Sequence, residues 1–479
     1  MFSDLYDKKY LFKCLLWLGI VFGLMRVTGG AGFAIVIPIV LYCALARRTE
    51  ALLFWMLVAV CSIIINPHIV MKGGGYAWMQ RGLMLFLGLI MTAHVMSYPM
   101  HGAMRPYAGM LFYIMFMAIS SIQGWNPKIS YLKLFLFFLI YFAYFGVSNQ
   151  VGINPQVSSR KIRSVMLSIA ILFIFGSIAL VPFPGLSQLK ASDFEAGKVD
   201  LSNFTSLFMG MTNHSQCLGP VVSAASVVLL GDFLFSIKKV DLLYMCMLLC
   251  CPYLVYLTSS RTGMGSFILG QLFVLWVFMN AHGLGSRWKS KVMTIAMMLL
   301  TLLLVAVTCM PSLQSKALKF ATKFEKRDSK NMSTEAIISS RRGLMDAALY
   351  NFKKSPLLGN GFQVSAEMKN RKEKGLAVLS APIEKGVWVV AILEEGGIFG
   401  FAIFAIFLVV SGWNLLMRRC YLSLSLFFTI IVSNMAEFTM FSMSGMGGFM
   451  WGMVFIGAAF DAIRIKQETL NGFSVPREW

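Results

Sequence analysis

The sequence predicts an all-α, polytopic membrane protein. It reads as a bundle of about 12–14 transmembrane helices carrying one long, partly helical loop outside the bilayer. Three observations predict this. Hydrophobic residues make up 58% of the 479 residues and charged residues only 13%, with a mean hydropathy of +0.72, too little polar surface for a soluble chain of this length. Apolar runs of roughly 17–25 residues recur along the chain, each long enough to cross a bilayer. The stretch 311–386 is the only long polar segment, densely basic with scattered acids, and apolar runs flank it on both sides.

Taken in order, spans are expected near 11–27, 30–46, 51–67, 82–97, 106–122, 131–148, 164–181, 217–235, 240–258, 264–281, 292–310, 387–411, 421–437 and 445–463. The first span follows Met1–Tyr10 with no small-residue cleavage site, so it is expected to be retained. The chain divides into a bundle over 1–310 with a smaller outer loop at 182–216, the large loop 311–386, and the last spans with a short tail over 387–479.

Charge placement orients these spans. The formal net charge is +21, but the Lys and Arg residues sit mainly in short links. With the N-terminus inside, inner links hold Lys8, Lys9, Arg47, Arg48, Arg160, Lys161, Arg163, Arg418 and Arg419. The short outer links hold only Arg26, Lys72, Arg81, Lys128, Lys190, Lys198 and Arg261. This positive-inside bias places both termini in the cytoplasm and the two polar segments outside. It also accounts for the basic balance without nucleic acid, and no nucleic-acid motif is present; the bilayer, anionic lipid and pyrophosphate are the expected partners. The nine cysteines are scattered with no CxxC pair. No His/Asp/Glu/Cys cluster has metal spacing, so neither a metal site nor a cofactor is expected.

Two helices are expected inside the long loop. Leu313, Ala317, Phe320 and Phe324 recur at helical spacing with Lys316, Lys319 and Lys323 interleaved, a pattern that suits a helix lying on the membrane surface. After the N-cap candidates Ser333 and Thr334, a second helix has Ile338, Met345, Leu349 and Phe352 on one side. Pro356 and Gly359 stop it.

Few residues in so apolar a chain can carry chemistry. Arg261 sits between two apolar runs among Ser, Thr and Gly. A cation at the bilayer edge costs several kcal/mol unless paired or wet, and its planar fork suits phosphate oxygens; a snorkelling arginine that orients the span is the alternative. Arg341 and Arg342 lie on the second loop helix about 100° apart, so one of them at most faces a given site. Glu384 and Lys385 immediately precede a span, as an interfacial ion pair or as a base with its neighbour. Glu394 and Glu395 lie within that span, where a helix-to-helix polar contact competes with a catalytic role. His214, at the outer end of a span, is either a satisfied polar residue or a further contact to substrate.

Three stretches in sequence carry a family resemblance. They are the TSSRTG turn at 258–263, SSRRGLMDAALYNFKKSPLLGNGF at 339–362, and APIEKGVWVVAILEEGGIFGF at 381–401. Together they resemble the O-antigen ligase/O-antigen polymerase family. The resemblance covers about a third of the chain. It implies a membrane-embedded, metal-independent glycosyltransferase with a GT-C-like bundle in the bacterial inner membrane. Such an enzyme takes an undecaprenyl-pyrophosphate-linked glycan as donor at the periplasmic face. Carried over, Arg261 and Arg341 (Arg342 less so) hold the donor pyrophosphate, and His214, Lys385, Glu394 and Glu395 are further donor or acceptor contacts. The ligases carry a histidine late in the loop as base; here 311–385 contains none, and Glu384 stands as the catalytic candidate. That departure favours a polymerase of O-antigen, capsule or exopolysaccharide, with a chain-length regulator as a possible partner. The alternatives are a ligase onto lipid A core and, in another class, a lipid-linked-oligosaccharide flippase or transporter.

Overall fold

The structure is a computed structural model. It describes residues 6–46, 48–70, 77–96, 99–154, 158–188, 208–236, 241–258, 260–281, 335–364, 387–435, 438–443 and 445–470. Its described residues are 83% helical and form no strands, as backbone crossing a bilayer requires, since a helix satisfies its N–H and C=O groups within one segment.

Every expected span but 292–310, which lies outside the described residues, coincides with a described helix. In chain order these are α1 Lys8–Thr28, α2 Val36–Leu45, α3 Thr49–Ile64, α4 Ala77–Met96, α5 Arg105–Ala108, α6 Met110–Ile122, α7 Pro127–Ile153 and α8 Ser159–Ala179. There follow the short α9 Pro184–Ser187, then α10 Ser215–Ser236, α11 Leu242–Thr258, α12 Arg261–Ala281, the loop helix α13 Glu335–Lys354, α14 Trp388–Met417, α15 Tyr421–Ser433 and α16 Met446–Leu470. Among the described residues, eight helical stretches are long and apolar enough to cross a membrane, and five shorter apolar helices fill the other positions. The expected span 30–46 splits into a 3-10 turn over Gly29–Ile35 followed by α2, because its glycine-rich start is a poor α-helix former.

Polar contacts between elements sort the helix ends into two groups. At one end Ser164 Oγ donates to Asp7 O (2.8 Å), Ser158 N to Glu50 Oε1 (3.0 Å), and Arg163 pairs with Asp232. At the other, Arg26 reaches His68 O (3.1 Å), Asn213 N bonds Ile64 O (2.7 Å), Trp125 N bonds Asn360 O (3.1 Å) and Trp388 N bonds Asn434 O (3.2 Å). We call these the N-terminal end and the loop end. Consecutive long helices alternate between them. Phe278, late in α12, meets Phe235 near the N-terminal end, whereas α13 belongs to the loop end.

The core follows the same logic. α16 is buried almost throughout, and its Trp451 and Phe455 pack edge-on against Tyr141 at 5.0 and 5.1 Å. Lipid-facing stripes of α12 and α14 leave Leu272, Trp276, Ile406, Val409 and Trp413 exposed, as an apolar solvent permits. The described part of the segment 182–216 is pinned to the end of α3, where Asn66 Nδ2 donates to Leu186 O (2.7 Å) and Gly210 O (2.6 Å).

Candidate active site

The loop end is built around a broken helix. Within α14, Gly397 has φ 64° and ψ −164°, a conformation open only to glycine without strain. The break strands the carbonyls before it and the amides after it, and buried backbone groups must find partners elsewhere. Residues 356–361 supply them. Asn360 N and Gly361 N donate to the carbonyls of Glu394 (2.9 Å) and Glu395 (3.0 Å), while Ile398 N and Phe399 N donate to those of Pro356 (2.8 Å) and Leu357 (3.3 Å). The glycines follow from this close docking: a Cβ on Gly359 would meet Glu395 O, and one on Gly397 would meet Leu357 O. The segment read from the sequence as a helix stop is therefore also a plug set into α14.

Side chains lock the plug from three sides. Asn351, on α13, donates from Nδ2 to Glu394 Oε1 (2.9 Å). Asn360 Nδ2 lies 3.0 Å from Asn351 O and 3.1 Å from Glu394 O. From α6, Ser120 Oγ lies 2.6 Å from Leu358 O and 3.1 Å from Glu395 O. From α7, Ser130 Oγ donates to Phe362 O (3.0 Å) and Lys133 Nζ to Gln363 O (3.0 Å). Phe362 is fully buried between Phe137 (5.7 Å) and Phe441 (5.5 Å), which anchors the exit of the plug in the aromatic core.

A second feature stands at the same end. α10 and α12 run parallel, with their N-termini side by side. The backbones touch at Gly219 and Gly263, and Ser223 Oγ bonds the carbonyls of Gly219 (2.8 Å) and Gly263 (3.0 Å). Ser260 Oγ caps Gly263 N (3.0 Å), and His214 Nδ1 accepts from Gln216 N (3.1 Å), capping α10. Two adjacent helix N-termini present partial positive charge, a setting that favours an anion.

The sequence candidates fall as follows. Arg261 opens α12 at this double N-terminus. Arg341 and Arg342 lie on α13, Arg341 seven residues before the buried Ala348 and Arg342 seven before the exposed Leu349; Leu349 thus falls off the packed face expected of it. Glu394 and Glu395 are 2% and 1% exposed at the break, and Glu394 contacts the loop helix. His214 serves as an N-cap. Glu384 and Lys385 lie outside the described residues, as does the expected surface helix around Leu313–Phe324.

The sequence reading passed over Asn351, Asn360, Ser120, Ser130 and Lys133. Lys133 carried a signal, being a lysine inside an apolar span; the others pair only through the fold. Among the described residues no three potential metal ligands come together.

A family model described as O-antigen ligase matches residues 246–405. The matched stretch runs from within α11 into α14, and so takes in the start of α12, the loop helix, the plug and the broken helix. No curated protein matches the chain. An all-α, multi-pass fold with this match supports the O-antigen ligase/polymerase family, whose members are membrane enzymes of the glycan-transferring type. What the chain is similar to in that family is the third that assembles the loop end.

Proposed function

We propose that the protein is a polysaccharide polymerase that joins O-antigen, capsule or exopolysaccharide repeat units carried on undecaprenyl pyrophosphate. The observation that carries this reading is the placement of all three family-like stretches at one end: a capped, arginine-bearing helix start, a basic loop helix, and a plug that ties the loop into α14. In this reading the loop end faces the periplasm of an inner-membrane protein, and α13 with the plug at 356–361, the described part of the large loop, acts as a lid there.

The acceptor sugar hydroxyl attacks the anomeric carbon of the donor glycan. The bond from that carbon to the pyrophosphate oxygen breaks, and the electron pair leaves with undecaprenyl pyrophosphate. Glu384 takes the hydroxyl proton. Arg261, aided by the paired N-termini of α10 and α12, and Arg341 neutralise the charge growing on the leaving group, a role worth about 100-fold or more in rate. Asn351, Asn360 and Glu394 hold the lid in register.

A ligase is the second reading, favoured by the description of the matching family model; the absence of a loop histidine supports the polymerase instead. A transporter would use a broken helix to bind cargo, whereas the break in α14 is filled by the chain's own backbone. The test is what accumulates. Arg261→Ala, Arg341→Ala and Glu384→Gln should leave lipid-linked single repeats while the protein still inserts. Lipid-linked polymer accumulating instead would identify a ligase, and normal long chains in all three variants would end the transferase assignment.

A further inference from the structure

Ser215 is the first residue of α10, at the paired helix starts. It is 1% exposed, yet its Oγ has no hydrogen-bond partner among the described residues. A buried hydroxyl left unpaired is costly and needs a reason.

The hydroxyls around this junction are engaged. Ser223 Oγ bonds the carbonyls of Gly219 and Gly263. Ser226 Oγ donates to Ser223 O (2.8 Å) and accepts from Gln271 Nε2 (2.6 Å). Thr258 Oγ1 donates to Val255 O (2.7 Å) and Ser266 Oγ to Gly263 O (3.1 Å), while Ser260 Oγ accepts from Gly263 N. The fold satisfies all of these from within, and Ser215 stands apart from them.

Helix periodicity gives the direction of its side chain. Ser215, Gly219 and Ser223 recur every four residues and so share one face of α10. That face meets α12. A Cβ on Gly219 would lie 3.0 Å from Gly263 Cα and 3.2 Å from Ser260 Cβ, and Ser223 reaches Gly263 O. Ser215 lies one turn, about 6 Å, nearer the loop end, which carries its hydroxyl past the glycine contact to the start of α12 at Arg261. There the partial positive charges of two helix N-termini converge and favour an anion. An anion's oxygens are also what an unpaired O–H donor needs.

We propose that Ser215 donates its Oγ–H to a phosphoryl oxygen of the donor pyrophosphate at the starts of α10 and α12, as a substrate-binding residue in addition to Arg261. The inference rests on the transferase reading, which supplies the pyrophosphate. Ser215 itself lies outside the three family-like stretches and outside the matched residues 246–405. As the bond to the anomeric carbon breaks, negative charge grows on those oxygens and the hydrogen bond strengthens.

A hydroxyl kept for a ligand has a distinct signature: its removal costs affinity and no stability. Full-length protein in phosphatidylcholine nanodiscs is titrated with farnesyl pyrophosphate, and its melting temperature is read without that probe. Ser215→Ala should weaken binding about tenfold, the size of one good hydrogen bond, and melt no earlier than wild type. Ser215→Cys, close in size but a weak donor, should weaken binding likewise. Unchanged affinity in either variant, or earlier melting in Ser215→Ala, would show that the hydroxyl serves the fold and overturn the proposal. Binding that Arg261→Ala abolishes and Ser215→Ala leaves intact would overturn the role of Ser215 alone and leave the transferase reading standing. No binding by the wild type would overturn both. Displacement of the probe by phosphatidylglycerol in the nanodisc would assign the hydroxyl to a bilayer lipid headgroup and overturn its donor role.

Discussion

The described polar contacts at the two ends of the bundle do different work. At the N-terminal end two largely covered arginines, Arg163 and Arg464, meet carboxylates. Arg163 Nε lies 3.1 and 3.0 Å from the two oxygens of Asp232, which also accepts from Tyr244 Oη (2.8 Å). Asp461 caps α15 through Leu422 N (3.3 Å) and Ser423 N (2.8 Å) and pairs with Arg464. At the loop end the carboxylate of Glu394 serves the plug and its lid helix, and Lys133 holds a backbone carbonyl. The described ion pairs at one end, with the caps their carboxylates make, tie helices to one another, while the described polar contacts around the plug at the other end shape backbone. The contrast separates scaffold from site.

Substitutions should break that contrast in graded ways. The largest effect is expected at Gly397→Ala, where a Cβ would overlap Leu357 O and the left-handed conformation is strained. It should cost about 3 kcal/mol and release the plug, read as a lowered melting temperature in detergent together with loss of polymer. Asp232→Ala leaves Arg163 without its carboxylate in a buried setting, which costs about 3–5 kcal/mol. Its melting temperature should fall, yet turnover per folded molecule should hold. Asn351→Ala removes one bond to Glu394, worth about 1–3 kcal/mol, and should slow transfer severalfold with a small change in melting. The smallest effect belongs to His214→Asn. Asparagine is an equally good N-cap, so activity should stay within about twofold, whereas His214→Ala should lose about 1 kcal/mol of stability.

The fold was legible because a bilayer imposes long apolar runs, and because caps and breakers bound the loop helix. Those signals located the spans, the second loop helix and its stop. The site was legible only in outline. Gly359, Gly361 and Gly397 stand in the family-like motifs, but the sequence gives no sign that 356–361 completes α14 some 40 residues later, since that pairing exists only in three dimensions. His214 read as a possible contact, and its cap depends on where α10 begins. Lys133 was visible as a charge in an apolar run and was masked by the length of that run.

The most direct measurement compares one residue from each end in proteoliposomes supplied with lipid-linked repeat units, scored as turnover per folded molecule beside melting temperature. Arg261→Ala should lose about 100-fold in turnover with its melting temperature near wild type, while Asp232→Ala should melt earlier and polymerise normally. Full turnover in Arg261→Ala, or a turnover defect in folded Asp232→Ala, would contradict the assignment of chemistry to the loop end.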